Sequence, residues 1–218
     1  MADFDHKLQQ LRNDLVTQGD RVLELCLRAV DCYFDSHIER ANEVVAGDEV
    51  IDRVDVEIER ASIPLLGMRL SEEYAIRSVL TVVKINNELE RIADCAVNIA
   101  EVVVEYPEEV EEHDPPPTFR VMANSVLGMV RDSNRAFAEL NVDLARQVLS
   151  FDDTVDRFKN EIDLDAERKV ATGEFSVSFG FRLRSVTKAL ERIADHCTNT
   201  CEQVIYLQTG KIVRHGME

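Results

Sequence analysis

Leu8, Leu11, Leu15, Gln18, Val22, Leu25, Ala29 and Cys32 recur at alternating gaps of three and four along the start of the chain. An α-helix turns once in about 3.6 residues, so this spacing gathers them on one stripe. Val82, Ile85, Leu89, Ile92, Ala96, Ile99 and Val103 repeat the pattern. So do Met122, Val126, Met129, Ser133, Ala136 and Leu140, and later Leu183, Val186, Leu190, Ile193, Cys197, Thr200 and Val204. No segment between turn signals alternates with a period of two for a strand's length. The chain is therefore expected to be all-α. Such seams are what antiparallel helices bury in a bundle. A stretch of about 35 residues makes a rod of about 52 Å, so the bundles should be elongated.

Gly47, Pro64 with Gly67, Pro107, Pro115–Pro117, Gly173 and Gly180 divide the chain into long stretches, three before Pro107 and three after Pro117. A short link around Gly47 implies antiparallel neighbours. Residues 107–117 read PEEVEEHDPPP, acidic, stiff and unable to continue a helix. Six long helices follow, in two tandem three-helix bundles. The first spans 1–107 and the second 118–218, with 108–117 as an acidic, proline-rich linker.

The two halves are copies. Residues 89–101 read LERIADCAVNIAE and residues 190–202 read LERIADHCTNTCE, an offset of 101. Upstream, Asp48-Glu49-Val50-Ile51-Asp52-Arg53 matches Asp152-Asp153-Thr154-Val155-Asp156-Arg157 at an offset of 104. Both matches keep the same order and similar separations, the mark of an internal duplication.

Composition narrows the function. The 42 acidic against 25 basic residues leave a formal charge of −17, with no dense basic surface for a phosphate backbone. Cations or basic protein surfaces are the expected partners, although acidity also serves solubility. No apolar run reaches the roughly 18 residues of a membrane span, and the start lacks the pattern of a signal peptide, so a cytoplasmic protein without membrane insertion is expected. The five cysteines include no Cys-x-x-Cys. Cys197 and Cys201, four apart, could share a helical face as soft ligands, but small buried core residues are the plainer expectation.

The repeated polar residues form acid-x-x-x-Asp on one helix and Glu-x-x-x-Asp on a later one. Residues four apart project from one face, so Asp48 pairs with Asp52 and Glu90 with Asp94, as do Asp152 with Asp156 and Glu191 with Asp195. If the two helices of each half are antiparallel neighbours, four carboxylates converge. Asn98 and Glu101, and Asn199 and Glu202, extend the stripes. Converging carboxylates repel unless a cation or proton intervenes, and an all-oxygen set suits magnesium, calcium, manganese or ferric iron. On a helical wheel the Glu90–Asp94 stripe lies opposite the Val82–Val103 seam, where a solvated face would also lie. The spacing occurs on two helices per half and in both copies, which favours a site. Arg91 and Arg192 can neutralise part of the patch or pair with acids on a neighbouring helix, the latter being the plainer expectation. His196, whose place Cys95 takes in the first copy, is expected to be a surface or packing residue.

At these residues the chain resembles the PhoU family of phosphate-uptake regulators: two ERIAD-x-x-x-N-x-x-E segments (Glu90–Glu101 and Glu191–Glu202) with Asp-x-x-x-Asp partners (Asp48/Asp52 and Asp152/Asp156). The resemblance covers essentially the whole chain. It implies paired three-helix bundles carrying multinuclear clusters of iron, manganese or magnesium, held at Asp48, Asp52, Glu90 and Asp94 and at Asp152, Asp156, Glu191 and Asp195. It also implies a cytoplasmic homodimer that restrains phosphate uptake and the phosphate-starvation response. Its partners would be the ATPase of the phosphate ABC transporter and a phosphate-sensing histidine kinase. The chain departs from the family pattern where Ala93-Asp94-Cys95 and Ala194-Asp195-His196 replace Gly-Asp-His, and where Thr200-Cys201 replaces an apolar pair.

An enzyme is the competing class. Di-iron carboxylate oxidases use Glu-x-x-His pairs inside a bundle, and the chain has none, nor a Gly-rich phosphate loop. The chain is therefore expected not to be an enzyme. A metal-free structural helical adaptor is the main alternative.

Overall fold

The computed structural model describes residues 2–68 and 72–213; residue 1 and residues 214–218, at the ends of the expected ranges, lie outside the described residues. The elements are α1 (Ala2–Asp35), α2 (Ile38–Met68), α3 (Glu73–Glu105), α4 (Pro107–Glu112), α5 (Pro117–Glu139), α6 (Val142–Thr172) and α7 (Val177–Thr209). No strand occurs among the described residues. The 34 residues of α1 make a rod of about 51 Å. Every expected seam residue of α3 and α7 is buried. Gln18, a polar residue in the α1 seam, is buried with its Nε2 donating to the Ile51 carbonyl at 2.8 Å.

Four punctuation marks read differently in three dimensions. The link expected around Gly47 lies instead at Ser36 and His37, and Gly47 sits inside α2. A Cβ there would come within 3.1 Å of Leu25, so this glycine lets α1 and α2 approach closely. Gly180 does the same inside α7, where a Cβ would stand 2.7 Å from Val170. Pro64 removes a backbone donor, yet α2 continues to Met68 because buried Ser62 and Leu65 hold its last turns against the core. Finally, Pro107–Glu112 forms a six-residue helix within the segment between the halves, a short seventh helix beside the six expected long ones among the described residues. Proline suits the first turn of a helix, where its missing N–H has no partner to lose, and Glu108 and Glu109 favour that end electrostatically.

The duplication extends to a turn that no glycine marks. α1 reverses into α2 through Ser36 at φ 51°, and α5 into α6 through Leu140 at φ 53°. These positions share the offset of the Asp48 and Asp152 motifs. In each turn the next side chain caps the new helix: Arg40 N–H donates to His37 Nδ1 (3.4 Å) and Leu144 N–H to Asn141 Oδ1 (3.0 Å).

Helices α1, α2 and α3 pack on one another, as do α5, α6 and α7, and the halves join chiefly through α3 against α7 with α1 against α5 beside them. α3 and α7 run antiparallel: Arg77 Nε donates to the Leu207 carbonyl (3.2 Å), and further along Glu88 meets His196. Packing on two fronts buries more of α3 and α7 than one seam, including Ala93, Cys95 and Ala100 on α3 and Ala189, Ala194 and Cys201 on α7. One hydrophobic core runs through both halves. All five cysteines are free and buried, and burial raises the thiol pKa of each, so Cys197 and Cys201 serve as core residues.

Candidate metal centres

Buried Val44, Ile51 and Ile58 turn one face of α2 toward the core, and Leu89, Ile92, Ala93 and Ala96 do the same for α3. This packing leaves Asp48 and Asp52 of α2 along a groove shared with Glu90 and Asp94 of α3. The stripe does not point straight to solvent, as a wheel drawn on the seam alone suggested. Glu90 and Asp94 have side-chain exposures of 23% and 38%, whereas Arg91 between them stands at 49%. The reason is α7: it claims a second face of α3, and the acids are left at the border with α2.

The electrostatics show which carboxylates face one another. Burial first, then Asp52, Asp94 and Glu101, raise Asp48 to about 6. Glu90 is raised by burial, then Asp94, with Asp55 and Asp52 adding and Arg91 opposing. The second groove is built alike. Burial, then Asp195, Asp156, Asp153 and Glu191, raise Asp152 to about 6. Asp195 is raised by burial, Glu191 and Asp156, against His196 and Lys159. All eight expected positions therefore line two grooves, one per half. Among the described residues, however, no three His, Cys, Asp or Glu side chains are drawn together closely enough to enclose a metal ion.

The donor set fits a hard cation. Every candidate is a carboxylate, and Glu90 Oε2 is buried without a hydrogen bond. Arg91 Nε lies 3.1 Å from that oxygen but off the hydrogen-bonding direction, so the pair satisfies charge better than it satisfies the lone pair. Arg91 also reaches Asp94 Oδ2 at 3.1 Å, so it neutralises part of the acidic stripe on its own helix instead of pairing with an acid of a neighbouring one.

Two further positions belong to these grooves. Asp55, one turn beyond Asp52, receives Asn86 Nδ2 at 2.6 Å and is raised by burial, Glu59 and Asp52. Its match at offset 104 is Lys159, whose Nζ lies 2.8 Å from Glu191 Oε1. Extending the alignment of the two Asp-x-x-x-Asp motifs by one turn exposes this difference. The asparagines diverge as well: Asn98 turns back to the Asp94 carbonyl, while Asn199 donates to Glu88 across the joint between halves. His196 Nδ1 meets the same Glu88 oxygen at 2.7 Å, which makes it a joint residue.

A model of the PhoU domain matches residues 15–103 and again 119–204. The chain belongs to the PhoU family. Each PhoU match encloses one groove, and α4 lies between the two. Among its relatives, the phosphate-specific transport system accessory protein PhoU homolog 1 of Thermotoga maritima is 30% identical over 208 residues, covering 95% of this chain and 90% of the relative. The PhoU homolog of Clostridium acetobutylicum, also named as a phosphate-specific transport system accessory protein, is 32% identical over 213 residues, 96% of each chain. The crystal structure of PhoU from Pseudomonas aeruginosa superposes with a TM-score of 0.88 at 27% identity, over 95% of this chain and all of that one. PhoU from Streptococcus pneumoniae shares the fold, with a TM-score of 0.89 at 24% identity, over 97% of this chain and all of that one.

Proposed function

We propose that this chain is a metal-binding cytoplasmic regulator of phosphate uptake and of the phosphate-starvation response, acting by protein contact and without catalysis. Its partners in this role are the ATPase of the phosphate ABC transporter and a phosphate-sensing histidine kinase, and it acts as a homodimer. The observation that carries the proposal is the pair of matching carboxylate grooves on a chain whose full-length relatives are named as phosphate-transport accessory proteins. Asp48, Asp52, Glu90 and Asp94 hold the cation of the first groove, with Asp55 and Glu101 at its edge. Asp152, Asp156, Glu191 and Asp195 hold that of the second. A bound hard cation, magnesium, manganese or iron, supplies positive charge, and several carboxylates can bridge more than one ion. The neutralised grooves draw α2 toward α3 and α6 toward α7, setting the surface the partner meets. Exposed Leu164, Val177 and Phe181, beside a cleft of about 250 Å³ between α6 and α7, supply an apolar face for such a contact.

The open spacing of the acids favours one rival, a metal-free helical adaptor. Native purification from phosphate-replete cells, followed by elemental analysis and identification of co-purifying proteins, separates the two. Stoichiometric iron, manganese or magnesium with a phosphate-transport ATPase is expected. Combined Glu90→Gln, Asp94→Asn, Glu191→Gln and Asp195→Asn should remove the metal while leaving the helical circular-dichroism signal unchanged. Metal retained in that variant would overturn the sites, and native protein without metal would favour the adaptor.

A further inference from the structure

At the end of the molecule where α1 turns into α2 and α4 leads into α5, a cavity of about 610 Å³ opens, lined by residues of α1, α4, α5 and the Pro115–Pro117 run. It lies outside both carboxylate grooves, and its size is typical of small-molecule sites, which run to about 300–1,000 Å³. Tyr33 lines it at 3% exposure, and its hydroxyl, buried, has no hydrogen-bond partner. Burial keeps that phenol protonated and therefore a donor. His113 also lines the cavity, and its buried Nδ1 is likewise without a partner. Its ring is fixed by stacking on Phe179 at 4.6 Å.

The third group is Arg120, held 3.7 Å above the ring of Phe34, with no carboxylate paired to it among the described residues. Arg120 stands in the first turn of α5, whose own residues there supply no capping side chain and no acid. The helix dipole therefore adds positive potential, offset in part by Glu161 of α6, which accepts from Thr118 Oγ1 at 2.6 Å. Asp114, exposed at the rim, is the one carboxylate in the lining.

The fold does not require this arrangement. At the offset of the duplication, Tyr33 corresponds to Phe137, equally buried and without a hydroxyl, Phe34 to Ala138 and Arg120 to Val16. An unpartnered buried hydroxyl is costlier than the phenylalanine that fills the same place in the other half.

We propose that this cavity binds a small organic oxyanion, a phosphate monoester or a carboxylate, gripped by Arg120, Tyr33 and His113 while its apolar part lies against Phe34 and Pro115–Pro117. The cavity is larger than inorganic phosphate fills, and its proline and aromatic walls call for an apolar portion.

The test is calorimetric titration and thermal melting of the full chain with phenyl phosphate, benzoate and inorganic phosphate. Saturable binding of phenyl phosphate or benzoate is expected, the tighter of the two naming the source of the oxyanion, with inorganic phosphate weaker. Arg120→Gln and Tyr33→Phe should each weaken binding roughly tenfold or more, as the loss of a charge-assisted or buried hydrogen bond does. Without ligand, Tyr33→Phe should melt at the same temperature as the parent or higher, because its hydroxyl has no partner to lose. No binding of any of the three probes, equal binding of inorganic phosphate, undiminished binding by Arg120→Gln, or a lower melting point of ligand-free Tyr33→Phe would each overturn the proposal.

Discussion

The two carboxylate grooves are built from the same motif on matching helices, and they balance their charge differently. In the first, Asp55 adds an acid to Asp48, Asp52, Glu90 and Asp94, and the compensating Arg91 comes from the neighbouring position on the same helix. In the second, Lys159 replaces that acid and crosses from α6 to Glu191 on α7. A duplicated unit thus keeps its backbone and its acidic stripe while one residue decides whether a cation crosses from the first acidic helix to the second. On the proposed metal-binding role, the first groove is the one that would gain more from a cation supplied from outside.

Exchanging that residue should have the largest effect. Asp55→Lys should weaken manganese binding to the first groove by tenfold or more, on the order of 1.4 kcal/mol, by installing an internal cation. Lys159→Asp should strengthen binding to the second groove while destabilising the metal-free protein by about 1–3 kcal/mol, because Glu191 is left half-buried and unpaired. Calorimetry with manganese and urea denaturation in a chelator read the two effects. If the exchanges leave both affinities unchanged, the difference between the grooves has no consequence for cations.

The next test should find the halves alike. Asp48 and Asp152 are both raised to about 6, so each holds its proton more tightly folded than unfolded. Between about pH 4 and 6 the folded state carries the extra proton, and stability without metal is therefore lost as pH rises through about 6 and regained on acidification. Both groups are only partly buried, so each contributes on the order of 1 kcal/mol after screening. Urea denaturation at pH 5 and pH 7 in a chelator should show the gain at pH 5. Asp48→Asn and Asp152→Asn should each flatten that dependence and stabilise the protein at pH 7.

A comparable or smaller change is expected at the joint. Glu88 takes both His196 and Asn199 across it, and its match in the other half is Ala189, which makes no such contact. Glu88→Ala should cost about 1 kcal/mol by denaturation, and a neutral result would make the joint purely apolar. The smallest effect belongs to the turns. Leu140→Gly and Ser36→Gly should each stabilise by about 0.5–1 kcal/mol by relieving a left-handed backbone, with the larger gain at the bulkier Leu140.

The residues differ in how readily their roles could be read in one dimension. Seams such as Val82–Val103 declared their helices because a buried stripe must follow the helical period whatever it packs against. Glycine and proline were less reliable. A glycine relieves crowding as readily as it breaks a helix, so Gly47 and Gly180 marked close approaches, and the real turn was hidden in Ser36, whose left-handed backbone has no residue signature. Pro107 illustrates the same ambiguity, since a proline can open a helix as well as end one.

The linear order of residues was sufficient for the helical class, the duplication and the eight repeated acids, because each depends on local spacing or on comparing the chain with itself. Which face of α3 is wet, that His196 and Asn199 meet Glu88, that Lys159 reaches Glu191, and that Tyr33 and Arg120 close around one cavity were decided by the packing of α3 on α7 and of α1 against α5. Those contacts join residues far apart along the chain, and no period within one helix encodes where another helix comes to rest.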